Sequence, residues 1–433
     1  MSFSDGTEAN SEIPPIQISA WGQHTRYMLA AYLRHVFTVT GALLAIALTI
    51  DLWPQLANVE ASAHDTGFVP VLWAVVRFAG LRAPDLIIPF FPFATFLGVV
   101  WTEVLLTESR ERLLVWNSGR SPAHCLMPVV LLGAIVGVTD FVMDAYLRPA
   151  FMEIQIREKL GSRGEEFARV REGAPVTWIA LDRGRQGLLK ARVVKSVPVT
   201  FRDLTLYRFD RDGLLTEVDT ATSATPNDPD HWTLWNGKLW KTNPPSPEEG
   251  ATHFTIGTAP ELQTPFSQKK VALDVNRLWL ANRGISVQYL PLSVVSTLAF
   301  AKGGSFRSDD FRTHLEAKYS ELLLPGEMAL LAACLAMLLI PYRTSTPALV
   351  WTLLAGYLAH FATKAMLLLG SNGYADAFLA GWLVPAALAL AIALVMRRIE
   401  AQRRAPEWWT PVRPESARQE LAENASTVNA AYS

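Results

Sequence analysis

The sequence predicts an α-helical polytopic membrane protein with six transmembrane helices and one inserted, external, all-β domain. Three observations carry this. Uncharged runs close to the roughly 20 residues that a spanning helix needs recur along the chain. They fall on either side of a long polar segment. Within that segment the apolar period shortens and turn dipeptides appear, as strands require. Half of the 433 residues are apolar and 18% are charged, which is low for a soluble protein. The mean hydropathy of +0.18 averages over these two unlike textures.

The elements follow in order. Residues 1–25 are a polar tail with Pro14 and Pro15 and no apolar core, so no cleavable signal peptide is expected and the first apolar run must direct insertion. Span 1 runs from Tyr27 to Ile50, with Arg34 and His35 able to snorkel. Phe68 to Leu81 is apolar but interrupted by Arg77, which suits an interfacial segment. Span 2, Leu86 to Thr102, begins at Pro89 and Pro92 and should open with an irregular turn. Glu108 to Pro122 reads as a short amphipathic helix closed by Gly119 and stopped before Pro122. Span 3 runs from Cys125 past Asp140 and Asp144 to about Leu147, so 26–147 hold the first three spans.

Residues 148–310 then form the external domain and a re-entry stretch. Asp212-Gly213 and Asn236-Gly237 are hairpin signals, and Leu188 to Tyr207 reads as strand, so an antiparallel sandwich or open barrel is expected. Cys125 and Cys334 lie in apolar runs, leaving that domain without a disulfide. Met328–Tyr342, Thr344–Thr363 and Ala377–Met396 are spans 4 to 6, within 311–398, and 399–433 is a polar tail expected to be disordered. Basic residues set the orientation: Arg110, Arg112 and Arg120 between spans 2 and 3, Arg343 between 4 and 5, and Arg397, Arg398, Arg403 and Arg404 after span 6. Both termini are therefore expected in the cytoplasm, despite Arg77 and Arg82 in the first external loop.

No phosphate-cradling loop, zinc-protease motif, nucleophile elbow or dinucleotide fingerprint stands in the chain, so any motor must be another polypeptide. A net charge of −1 gives no basic face for nucleic acid. The 108–122 helix could dock in a cytoplasmic partner through Leu113, Leu114 and Trp116, with Glu111 as ion-pair partner, or lie on lipid. Asp140, Asp144 and Arg148 share a helix face at i, i+4 spacing. An intramembrane acid suggests function; an internal Asp144–Arg148 ion pair is the plainer reading. His360 and Lys364 repeat the spacing in span 5, where Lys364 could meet an anion or snorkel. Glu103 and Glu327 are expected at solvated interfacial positions. Alternating Trp and Leu residues of the external domain read as core rather than as a ligand groove.

Three stretches together resemble the LptF/LptG family of lipopolysaccharide-export permeases. In the loop after span 2, Glu111, Gly119 and Ser121-Pro122 match the family's coupling helix. Asp203 to Gly213, Ala221 to Ala224 and Trp232 to Trp240 are similar to its β-jellyroll signature. Gly381-Trp382 with Pro385 matches its Trp-x-Pro in span 6. Asp51-Leu52 inclines the resemblance to the LptG branch. Arg110 and Arg112 depart from it, being more basic than the family's usual coupling helix.

The resemblance implies a β-jellyroll-like periplasmic domain and a half-transporter in the Gram-negative inner membrane. Two such permeases, LptF and LptG, pair with an LptB ATPase dimer, which docks at Glu111, Leu114, Trp116, Gly119 and Pro122, and with LptC. Lipopolysaccharide is passed to LptA. No cofactor is expected in this chain, ATP being bound by the ATPase. Arg77, Arg82, Arg148 and Lys364 lie at headgroup level and are candidates for phosphate contacts. Two other classes compete: an ion-coupled secondary transporter with Asp140, Asp144 and His360 as a proton relay, which inverted repeats would support, and an envelope glycosyl or lipid transferase.

Overall fold

The computed structural model describes residues 22–56, 67–112, 114, 122–172, 176–181, 187–194, 198–228, 231–241, 263–301, 306–340 and 344–403. Residues 1–21 and 404–433 of the two tails, Trp116, Gly119 and Arg343 lie outside these residues, whereas 399–403, expected to be disordered, continue the last helix. Helix α1 spans Gln23–Leu52 and continues as a 3-10 turn to Gln55. Next comes α2, Phe68–Ile87, then a 3-10 turn at Ile88–Phe90, then α3, Phe91–Glu108. Pro89 and Pro92 sit in and after that turn, the irregular opening expected for span 2. The stretch expected to be interfacial is the start of one helical arm, Phe68–Glu108. Its 41 residues are about 60 Å long at 1.5 Å each, twice the hydrocarbon thickness. Arg77 does not interrupt it, because the guanidinium is half-exposed and bonded to Glu158 at 2.7 Å.

Helix α4, Pro122–Val142, passes through a π-helical turn at Met143–Leu147 into α5, Arg148–Arg157. The third span therefore runs ten residues beyond its expected end at Leu147, and α6 (Gly161–Glu172) follows before any strand. Six strands come next: β1 (Thr177–Leu181), β2 (Gly187–Val194), β3 (Thr200–Phe209), β4 (Leu215–Asp228), β5 (His231–Lys241) and β6 (Gln263–Ala272). They form one antiparallel sheet in sequential order, so the open-barrel reading stands nearer than a two-sheet sandwich. Its buried face gathers Ile179 of β1, Leu189 of β2, Phe201 of β3, Trp232 of β5 and Val271 of β6 into one core. Trp232 is core, as alternation suggested; Trp235 faces outward and bonds Thr225 at 2.9 Å.

Asp212-Gly213 makes its expected turn, with Gly213 at φ +78° and the Asp210 carboxylate accepting from the Asp212 and Leu214 amides. Asn236-Gly237 does not. Strand β5 runs straight through it, paired with β4 on one side and β6 on the other. Asn236 takes φ +50° within the strand, and the Thr220 carbonyl and Phe266 ring lie where a Cβ on residue 237 would go. Glycine is there for close approach, not for reversal.

Helices α7 (Arg277–Asn282) and α8 (Leu292–Ala299), with the 3-10 turn Val287–Tyr289 between them, return the chain from the sheet. Together with α5, α6 and α9 they share a second core of Met152, Phe167, Val287, Tyr289, Val295 and Leu315. Helix α9 (Ser308–Ser320) meets α10 (Leu324–Leu339) at a 50° bend. Span 4 thus has a preceding arm that hydropathy alone does not show, because α9 carries several charges. Helices α11 (Thr346–Ser371) and α12 (Ala377–Arg403) are the last two spans. Among the described residues five helices are long and apolar enough to cross a membrane, or six if the bent pair counts as one. Small residues bring them close: a Cβ on Gly133 of α4 would lie 2.8 Å from the Gly326 Cα of α10.

Candidate functional site

At one end of the bundle α3 stops at Glu108, and Arg110 turns the chain back in the left-handed region, φ +61°. Glu111, Arg112 and Leu114 are helical, as expected of the amphipathic segment. Glu111 is partly exposed and Leu114 is 70% exposed. Trp116 and Gly119 are outside the described residues, and Pro122 begins α4. Arg112 turns inward and pairs with Glu103 of α3, to which the Tyr32 hydroxyl of α1 also donates. Glu103, expected at a solvated position, is instead 1% exposed. Hydropathy could not separate the two cases, since one acid near a span end reads alike whether it meets water or a buried cation.

At the opposite end of the bundle the charges are far more numerous. Arg82 of α2 grips Asp51 of α1 through Nε (2.8 Å) and Nη2 (3.0 Å), and its Nη1 reaches Asp85 at 2.5 Å. Arg148 of α5 bonds Asp85 at 3.2 Å and Asp144 at 2.5 Å. Lys318 of α9 closes on Asp144 and donates to its carbonyl at 3.0 Å. Arg163 of α6 (2.9 Å) and the Tyr289 hydroxyl (3.1 Å) both end on Asp85. Burial first, and the Asp85 charge second, push the Tyr289 phenol above its ordinary range, so it stays protonated and donates.

Three carboxylates and four cations thus join α1, α2, the α4–α5 helix, α6, α9 and the return from the sheet. Arg82 and Arg148 are almost fully buried, so their charges are already met by carboxylates; Asp144 is locked between Arg148 and Lys318. Asp140 is wholly buried one turn away, and neither of its oxygens finds a hydrogen-bond partner. Lys364 of α11 is half-buried nearby, and His360 packs on Phe93 with ring centroids 5.5 Å apart. Among the described residues no group of His, Cys, Asp and Glu could hold a metal ion.

The arrangement is a helical bundle with the Glu111–Leu114 turn at one end and, at the other, an ion network on the helices that border the β domain. The family model described as "Lipopolysaccharide export system permease LptF/LptG" matches residues 26–398, all the spans and the inserted domain together. The chain belongs to the LptF/LptG family. A search of curated proteins found no match to it.

In this permease the signature residues acquire physical roles. The Trp382 indole donates to Glu316 of α9 at 2.9 Å, and Gly381 beside it lets α12 lie against that helix. The motif in span 6 therefore holds the bent arm of span 4. Asp203, which opens one jellyroll stretch, sits at φ +51° in β3, beside the register step from Arg192 to Lys190 in β2.

Proposed function

We propose that this permease is one half of an ABC-type exporter of the Gram-negative inner membrane, which takes lipopolysaccharide from the bilayer and hands it to a periplasmic jellyroll bridge. The family match over 26–398 carries the reading. Its finer parts rest on the site. The chain has no nucleotide-binding loop, so a separate ATPase of the LptB kind supplies the energy and docks on the partly exposed Glu111 and the exposed Leu114. A second permease of the LptF or LptG type completes the cavity, LptC adds to it, and LptA receives the lipid. Both termini then lie in the cytoplasm.

Of the four cations at headgroup level, half-exposed Arg77 and half-buried Lys364 are the ones we assign to substrate phosphate. Arg82 and Arg148 would meet a phosphate only by releasing Asp51, Asp85 or Asp144. A proton relay is the weaker reading, because Asp144 is ion-locked and His360 is packed on aromatic rings. The test is co-purification with the ATPase, followed by ATP-driven release of lipopolysaccharide from proteoliposomes. Glu111→Lys is expected to lose the ATPase from the membrane complex, and an unchanged complex in that variant would overturn the docking assignment.

A further inference from the structure

The coupling segment does more than present exposed residues. Its Arg112 is 3% exposed and ends on Glu103, which is itself 1% exposed in the last turns of the Phe68–Glu108 candidate span. An acid inside a bilayer must be paired, and a cation drawn in to pair it cannot leave without stranding the charge. The same carboxylate accepts from Tyr32 of α1. One turn away His35 of α1 hydrogen-bonds Thr102 of α3 at 3.0 Å and stacks on Trp101. A Cβ on Gly98 would lie 2.6 Å from the Val36 Cα, so the two backbones touch. Spans 1 and 2 are thus one rigid pair at this end, and Arg112 is the side chain that pins the segment to both.

Arg110 explains how a residue so close to the surface can reach inward. Its left-handed backbone reverses the chain just after α3, and Leu114 then bonds back to the Arg110 carbonyl at 3.3 Å. The returned turn lies against the start of α1 around a cavity of about 170 Å³, lined by Tyr27 and Met28 of α1, Leu106 of α3, and Glu111, Arg112 and Leu114 of the segment itself.

We propose that Arg112 is a positioning residue: its ion pair with Glu103, backed by Tyr32, is the tether through which movement of the coupling segment is delivered to spans 1 and 2. Glu111, partly exposed, is the residue assigned to the partner, and its neighbour Arg112, buried, addresses the membrane. This rests on the reading of the chain as an ATPase-driven permease.

The experiment uses the complete permease complex with its ATPase in proteoliposomes and measures lipopolysaccharide released per ATP hydrolysed. Arg112→Ala is expected to keep the ATPase bound and hydrolysing within about twofold, while lipid released per ATP falls about tenfold. Arg112→Lys restores most of that ratio, because a lysine keeps the charge. The deciding variant is the double change Glu103→Leu with Arg112→Met, which removes both charges and leaves neither stranded. It is expected to fold and bind ATPase normally yet remain uncoupled. A native release ratio in the double variant overturns the tether and makes the pair a matter of charge burial alone. So does a parallel fall of hydrolysis and release in Arg112→Ala. If the wild-type complex itself shows no ATP-dependent release, the permease reading fails instead, and the two failures are told apart.

Discussion

The two ends of the bundle solve the same problem with different redundancy. At the coupling end one acid, one base and one phenol meet, and the base stands on a segment that borders water. At the outer end Asp85 alone receives Arg82, Arg148, Arg163 and Tyr289, and every partner but Arg163 is largely buried. A single pair leaves the segment one point of attachment about which it can pivot without letting go. A network in which Arg82, Arg148, Asp85 and Asp144 each hold two or more partners resists opening, because releasing one contact leaves other charges inside a low dielectric. The first arrangement suits transmission of movement, the second a fixed joint between spans and sheet.

The largest test of this contrast is Asp85→Ala. It removes the shared carboxylate from two buried guanidinium groups and is expected to cost about 3–5 kcal/mol, read as a fall in thermal unfolding temperature in detergent. Glu103→Gln should cost less, about 1–2 kcal/mol, because Arg112 can swing toward water; an equal loss at both sites would dissolve the distinction. Arg82→Lys keeps the charge but loses the two-pronged grip on Asp51, and about 1.5–3 kcal/mol is expected from the charged hydrogen bonds. Arg77→Ala removes a half-exposed pair with Glu158 and should change stability by less than about 1 kcal/mol.

The sheet adds a titratable counterpart outside the membrane. Burial would raise the Glu217 carboxyl, but the Lys269 ammonium at 2.6 Å outweighs it and holds the group below its usual range. A depressed folded value stabilises the sheet above the unfolded carboxylate range of about 4.3, and that stability drains away as pH falls through the folded value. Hydrogen exchange of β4 to β6, corrected for intrinsic rate, should therefore accelerate on acidification below about pH 4.3. In Lys269→Met that acid step should shrink, with protection already lower at neutral pH.

The uncharged runs, the polar insertion between them, the proline-opened second span, the Asp212-Gly213 turn and the family signature were all legible in the chain itself. Each depends on a few neighbouring residues: hydropathy, periodicity and turn chemistry are local properties that no docking step can alter. What Arg82, Glu103, Arg112 and Arg148 do was not legible. Tyr32 lies 71 residues from Glu103, and Tyr289 lies 204 from Asp85. Whether a charge near a span end meets water, lipid phosphate or a buried opposite charge depends on which helix packs beside it. Asn236-Gly237 shows the same limit in the sheet: a dipeptide built for reversal does not reverse the chain, because strands on both sides claim its backbone. Sequence determined which segments enter the bilayer; tertiary packing alone decided which charges follow them in, since pairing energy exists only once distant elements have met.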